Sequence, residues 1–210
     1  MNASSLFVPL FQMWLLASLG EEPGGALGEW RSDLSVFVGG FFAPVEIGRD
    51  INATGGEQLI ARLGDGVALG IHLAFRNDLF GVGLGIVTRP DQIDVENEFG
   101  VGFPNHAKPP VLIVGDLSIC PFRGAFLGGR VEPYLTAGVG GGLFSVDLDN
   151  VNGETSYNLW LWSAGGGVRY YLAGQKRFFE FKLTRSQLAG RGPIDSFAVN
   201  TLVLGVGTEL

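Results

Sequence analysis

Apolar residues in the middle and end of this chain alternate with glycine or with a small or polar residue, segment after segment. Val67, Leu69, Ile71, Leu73 and Phe75 alternate with Ala68, Gly70, His72, Ala74 and Arg76. Val82, Leu84 and Ile86 alternate with Gly81, Gly83 and Gly85. A period of two is a strand with two unlike faces. The pattern predicts eight strands, over 30–43, 63–76, 79–88, 111–120, 131–147, 157–172, 177–185 and 196–210. The connections alternate in length. Long or polar loops are expected at 44–62, 89–110, 147–156 and 185–196, and shorter ones at 77–78, 121–130 and 173–176. Asn152-Gly153 in the third long loop is a hairpin signal.

Glycine weakens a strand interior, so its use within strands needs a reason. The chain carries 34 glycines in 210 residues, against about 7% in an average protein. A narrow closed barrel supplies the reason, because its inside has little room for side chains. The other face decides the surroundings. A soluble ligand-binding barrel points its large apolar residues inward and its charges outward. Here the face opposite the apolar one is mostly Gly, Ala and Ser, and only 17% of all residues are charged. That face suits a crowded interior, which leaves the apolar face for lipid. Hydrocarbon cannot satisfy open strand edges, so the sheet must close. The predicted fold is therefore all-β: an eight-stranded antiparallel up-and-down transmembrane β-barrel. Short turns at one rim and long loops at the other fit that architecture.

Parity places His72, Arg76, Asp116, Arg169, Glu180 and Lys182 inside as a polar network. Arg169 and Glu180 flank a short turn and should meet across it. Buried charges must be paired, since an unpaired one costs several kcal/mol. The network reads either as a gate or proton path, or as an ion-paired plug. Trp160, Trp162, Tyr170 and Tyr171, with Phe178 and Phe179 just beyond, form an aromatic cluster. Trp160, Trp162, Tyr170 and Phe179 are expected at the membrane interfaces, where aromatic side chains collect. Stacking on a ligand is the alternative.

The net charge of -7 and the lack of a basic run argue against nucleic acid as a partner. Cys120 is the single cysteine, which excludes an internal disulfide and a cysteine-based metal cluster. The two histidines, His72 and His106, stand in no His-x-Ser or Gly-x-Ser-x-Gly arrangement, so no catalytic residue is assigned. Asp147, Asp149, Asn150, Asn152 and Glu154 carry oxygen ligands. Their spacing misses the calcium-loop template, and an acidic hairpin loop is expected instead. No metal and no cofactor are expected. The apolar run from Leu6 to Leu19 is too short for a transmembrane helix. It suits a signal peptide over 1–20, followed by a linker at 21–29 and the barrel domain at 30–210.

Arg130-Val131-Glu132-Pro133-Tyr134-Leu135-Thr136-Ala137-Gly138-Val139-Gly140 resembles the fifth strand of small outer-membrane β-barrel proteins, the outer-membrane-protein-A-like and opacity-protein-like group. Gly165-Gly166-Gly167-Val168-Arg169-Tyr170 and Phe179-Glu180-Phe181-Lys182 look like that group's next two strands, and Leu204-Gly205-Val206-Gly207 like its last. The resemblance implies a plugged polar interior, no shared catalytic residues, and extracellular loops used for adhesion or surface contact. It implies a place in the Gram-negative outer membrane, where lipid, lipopolysaccharide and the barrel-assembly machinery are partners. A monomer with an extracellular partner of unknown identity is expected. Two alternatives remain: a small pore or transporter for small or apolar solutes, and a lipid-modifying barrel enzyme built around His72 or His106. A soluble periplasmic barrel is the reading in which the chain needs no membrane.

Overall fold

A computed structural model of the chain describes residues 29–43, 46–49, 59–91, 93–103, 108–121, 126–146, 155–172 and 176–210. The expected signal peptide at 1–20, all but the last residue of the linker, His106 and the acidic loop at 147–154 lie outside the described residues.

The described residues form twelve strands: β1 (Arg31–Phe42), β2 (Glu46–Arg49), β3 (Leu59–Arg62), β4 (Gly66–Arg76), β5 (Phe80–Thr88), β6 (Asp94–Asn97), β7 (Gly102–Phe103), β8 (Val111–Ile119), β9 (Val131–Val146), β10 (Thr155–Tyr171), β11 (Arg177–Leu188) and β12 (Phe197–Glu209). Eight of them close a barrel in the order β1-β12-β11-β10-β9-β8-β5-β4. Each barrel strand pairs antiparallel with its neighbours in sequence, and β1 pairs with β12 to shut the cylinder. These are the eight predicted strands. The seventh runs on to Leu188, three residues past its predicted end. The second begins at Gly66, because Leu63 leaves the wall to pack inward.

The register fixes the barrel's shape. Arg31 pairs with Arg76, Arg76 with Gly81, Gly81 with Ser118 and Ser118 with Thr136. Thr136 pairs with Gly165, Gly165 with Thr184, Thr184 with Thr201 and Thr201 with Phe41. One circuit thus climbs from Arg31 to Phe41, ten residues along the same strand. With eight strands, a stagger of ten residues corresponds to a tilt of about 40°.

The alternation separates the faces. Val36, Val38, Ile71, Leu117, Val139, Leu183, Leu204 and Val206 point outward and are exposed, forming an apolar belt. The inward face explains the glycines. The Phe37 ring lies where a side chain on Gly70 would go, and its Cβ crowds the same place at Gly205. Phe178 does this at Gly207, Phe144 at Gly142 and Tyr134 at Gly167. The interior is narrow because a few large rings fill it and neighbouring strands supply glycine to receive them.

One feature was not expected. Loops 44–62 and 89–110 are not plain loops: they form a second, four-stranded antiparallel sheet in the order β2-β3-β6-β7. It sits at the long-loop rim. Gly48 bridges to Ile194 and the Arg49 N–H donates to the Pro193 carbonyl, which ties the sheet to the loop between β11 and β12.

Candidate functional site

The inward residues fall into two unlike groups. At the short-turn end, Arg76 and Arg169 are fully buried and surrounded by carboxylates. Arg76 donates from Nη1 to Glu132 at 2.8 and 3.1 Å and from Nη2 to Glu209 at 3.2 Å. It also donates to Asp33 and to the Tyr171 hydroxyl. Arg169 donates from Nε to Glu180 at 3.0 Å and from Nη1 to Glu132 at 3.4 Å. The Tyr134 hydroxyl donates to Glu180 at 2.7 Å, and the Ser35 hydroxyl does so at 3.2 Å. The Arg169 guanidinium lies over the Tyr134 ring, 4.6 Å from its centre. One level up, His72 Nε2 lies 3.1 Å from Asp116 Oδ2, and the Lys182 ammonium donates to the same oxygen at 3.4 Å.

The six polar residues placed inside by parity therefore all face the interior. They form two linked clusters: Arg76, Arg169 and Glu180 in the lower one, His72, Asp116 and Lys182 in the upper. Arg169 and Glu180 are register partners, as their positions flanking the turn require. The cluster is larger than those six. Asp33, Glu132, Tyr134, Tyr171 and Glu209 complete it. Parity marks these too, since Asp33 alternates with Leu34 and Glu132 shares the face of Gly138 and Gly140. Arg76 to Glu132, however, spans β4 to β9, and no local pattern announces that meeting.

Trp160, Trp162, Tyr170 and Phe179 point outward and are exposed. The two tryptophans lie toward the long-loop rim, and Tyr170 and Phe179 are register partners near the other rim. Tyr171 and Phe178, which the sequence grouped with them, turn inward instead. Tyr171 meets Arg76, and Phe178 is buried beneath Arg169. Neighbours along a strand cannot share a face.

The long-loop end is apolar. Phe41, Leu112, Phe144, Leu159, Leu188 and Val199 point inward there. They join Ile47, Leu59, Ala61, Leu63, Ile93 and Val95, brought by the small sheet and its flanks, in one buried cluster. Above it stands the β6–β7 hairpin. The Asn97 side chain accepts the N–H groups of Phe99 at 3.1 Å and Val101 at 2.9 Å, and Gly100 turns through φ 76°. This holds Phe99 and Val101 at the tip, 81% and 57% exposed. His72, the one described histidine, has Asp116 within reach but no serine hydroxyl among its hydrogen-bond partners.

No family model matches the sequence, and no curated protein matches it. Solved structures do match the fold. The outer membrane protein OprG from Pseudomonas aeruginosa is 17% identical, with a TM-score of 0.56 over 87% of this chain and 98% of that one. The outer membrane protein AlkL, solved in lipid bilayers, is 16% identical, with a TM-score of 0.54 over 91% of this chain and 95% of that one. Neisserial surface protein A is 12% identical, with a TM-score of 0.51 over 89% of this chain and all of that one. The fold is that of the small outer-membrane barrels. A closed barrel with this apolar belt is built to sit in a lipid bilayer.

Proposed function

We propose that the protein is a non-conducting, non-enzymatic outer-membrane barrel with a structural or surface-interaction role carried by its long-loop rim. One observation carries this reading. Among the described residues the barrel is filled at both ends, by ion pairs at one and by an apolar cluster at the other, while two of the loops at the second end form a sheet with a hydrogen-bonded tip. Loops without a contact to make need no such construction, and an ordered surface loses less entropy on binding. The buried guanidinium–carboxylate pairs favour the plug over a gate. The outward belt takes lipid and lipopolysaccharide, with Trp160, Trp162, Tyr170 and Phe179 as interface anchors. A monomer inserted by the barrel-assembly machinery is sufficient for this role, and nothing in it calls for nucleic acid or a cofactor.

Two experiments test it. In planar bilayers the refolded full chain gives no steady conductance; steps that disappear on opening or filling the interior would replace this reading with the pore. On the surface of a Gram-negative host, the protein increases attachment to cells or coated surfaces. Replacing 98–101 by a two-residue turn removes that gain while the folded band on unheated gels remains. Attachment untouched by trimming any long loop overturns the surface role.

A further inference from the structure

The lipid-facing wall carries a guanidinium where its neighbours are apolar. The outward positions of β11 are Arg177, Phe179, Phe181, Leu183, Arg185 and Gln187. Arg177 stands at the short-turn rim, where the wall ends. Arg185 stands below the opposite rim. One circuit of the barrel climbs ten residues, so each step along a row of register partners, going from β4 towards β12, rises about 3 Å at this tilt. The row through Arg185 runs back over Ala164, Ala137, Leu117, Val82 and Phe75. Corrected for that rise, Trp162, Val139, Ile113 and Leu69 lie within about one residue of the height of Arg185. The belt continues above it at Leu143 and Trp160, both exposed.

Arg185 is exposed and, among the described residues, has no ion pair and no hydrogen-bond partner. Two polar side chains share its outer face. Asn200 is its register partner on β12, and Gln187 is the next outward position of β11. Around them the wall is low. Ala164 lies beside Arg185 and Ala198 beside Gln187. Phe42, the partner of Asn200, lays its ring over Gly40, towards the barrel middle. The result is a shallow polar notch with Trp162, the partner of Gln187 on β10, at its side.

A cation facing hydrocarbon needs an anion. The wall offers none: among the described residues no outward position of the barrel strands is Asp or Glu. A second copy packed wall to wall would bring none either. The anion has to come from the lipid. The notch lies at the long-loop end, which is the extracellular side of an outer-membrane barrel. A guanidinium holds a phosphate through two parallel hydrogen bonds. The amides of Gln187 and Asn200 both donate and accept, which suits sugar hydroxyls. Below the notch Leu183, Leu202 and Leu204 are exposed and give acyl chains a surface.

We propose that Arg185, Gln187 and Asn200 form a site for the phosphorylated sugar headgroup of one lipopolysaccharide molecule. Arg185 donates to the phosphate, the two amides hold the sugar, and an acyl chain runs down along Leu183, Leu202 and Leu204. The site rests on the outer-membrane placement of the barrel and not on any attachment role of its loops.

The test refolds the full chain in a zwitterionic detergent and adds lipid A, the phosphorylated acylated sugar of lipopolysaccharide. Native mass spectrometry counts the lipid that stays bound. The folded barrel retains one lipid A and holds it about tenfold or more tightly than dephosphorylated lipid A or phosphatidylglycerol, the factor expected for a charge-assisted hydrogen bond. Arg185→Gln loses that factor, Arg185→Lys loses less, and Gln187→Ala with Asn200→Ala weakens lipid A without changing phosphatidylglycerol. Arg177→Gln, at the other rim, leaves lipid A binding unchanged. If Arg185→Gln does not give the folded band on unheated gels, Arg185→Lys and the amide variant carry the test. Undiminished binding by Arg185→Gln overturns the site. So does an equal loss in Arg177→Gln, or phosphatidylglycerol held as tightly as lipid A, since either marks general attraction of anionic lipid. A wild-type chain that gives no folded band overturns the barrel reading, and this site with it.

Discussion

The two ends of the barrel interior solve the same packing problem with opposite chemistry. The short-turn end is filled by Arg76 and Arg169 among Asp33, Glu132, Glu180 and Glu209. The long-loop end is filled by Phe41, Phe144, Leu188 and their neighbours, together with residues from the small sheet. An ion-paired core depends on every member being present, because each charge is compensated by named partners. An apolar core is non-directional and loses stability in proportion to what is removed. The charged end is therefore specific and brittle. The apolar end tolerates change, which suits the end where loops must cover the mouth.

The sharpest break in this contrast comes from Arg169→Met. It leaves Glu180 in the interior without its guanidinium partner and should cost about 3–5 kcal/mol, read as a lowered urea midpoint for the folded band on unheated gels. Leu188→Ala removes apolar volume at the other end and should cost about 2–5 kcal/mol, read the same way. A graded loss across Leu188→Val and Leu188→Ala would mark the apolar end. Removing both partners at the charged end, Arg169→Met with Glu180→Leu, should recover at least half of the single-variant loss, since an apolar replacement of a buried pair is often close to neutral. A double variant no more stable than Arg169→Met would show that the loss does not come from Glu180 being left without its partner. The smallest effect is expected outside both ends. Arg62 and Glu96 pair at 3.2 Å across the small sheet in a partly exposed setting, and Arg62→Ala should cost less than about 1 kcal/mol and lose even that in high salt.

The eight wall strands were legible because each repeats a two-residue alternation over nine residues or more. The small sheet was not. Its strands are two to four residues long, too short for a period to appear. β3 and β6 are also joined only after the chain has passed through β4 and β5. Ile47 and Val95 each stand beside a charged residue, and only the mouth beneath gives them somewhere to go. Within the site, Arg76, Arg169 and Glu180 were legible as inward charges. Tyr171 and Phe178 were misplaced because aromatic residues that are adjacent in sequence look like one patch until strand parity is applied to each.

Alternation and composition sufficed for the architecture: the number of wall strands, the lipid-facing side, the glycine-rich interior and the alternation of loop lengths. These follow from local geometry, since the side-chain period of a strand is two wherever the strand goes. Which inward residues share a level does not follow from it. The same alternation is compatible with other staggers, and each would bring a different set of side chains together. Only closure from Arg31 round to Phe41 sets Arg76 beside Glu132 and gathers the charges at one end.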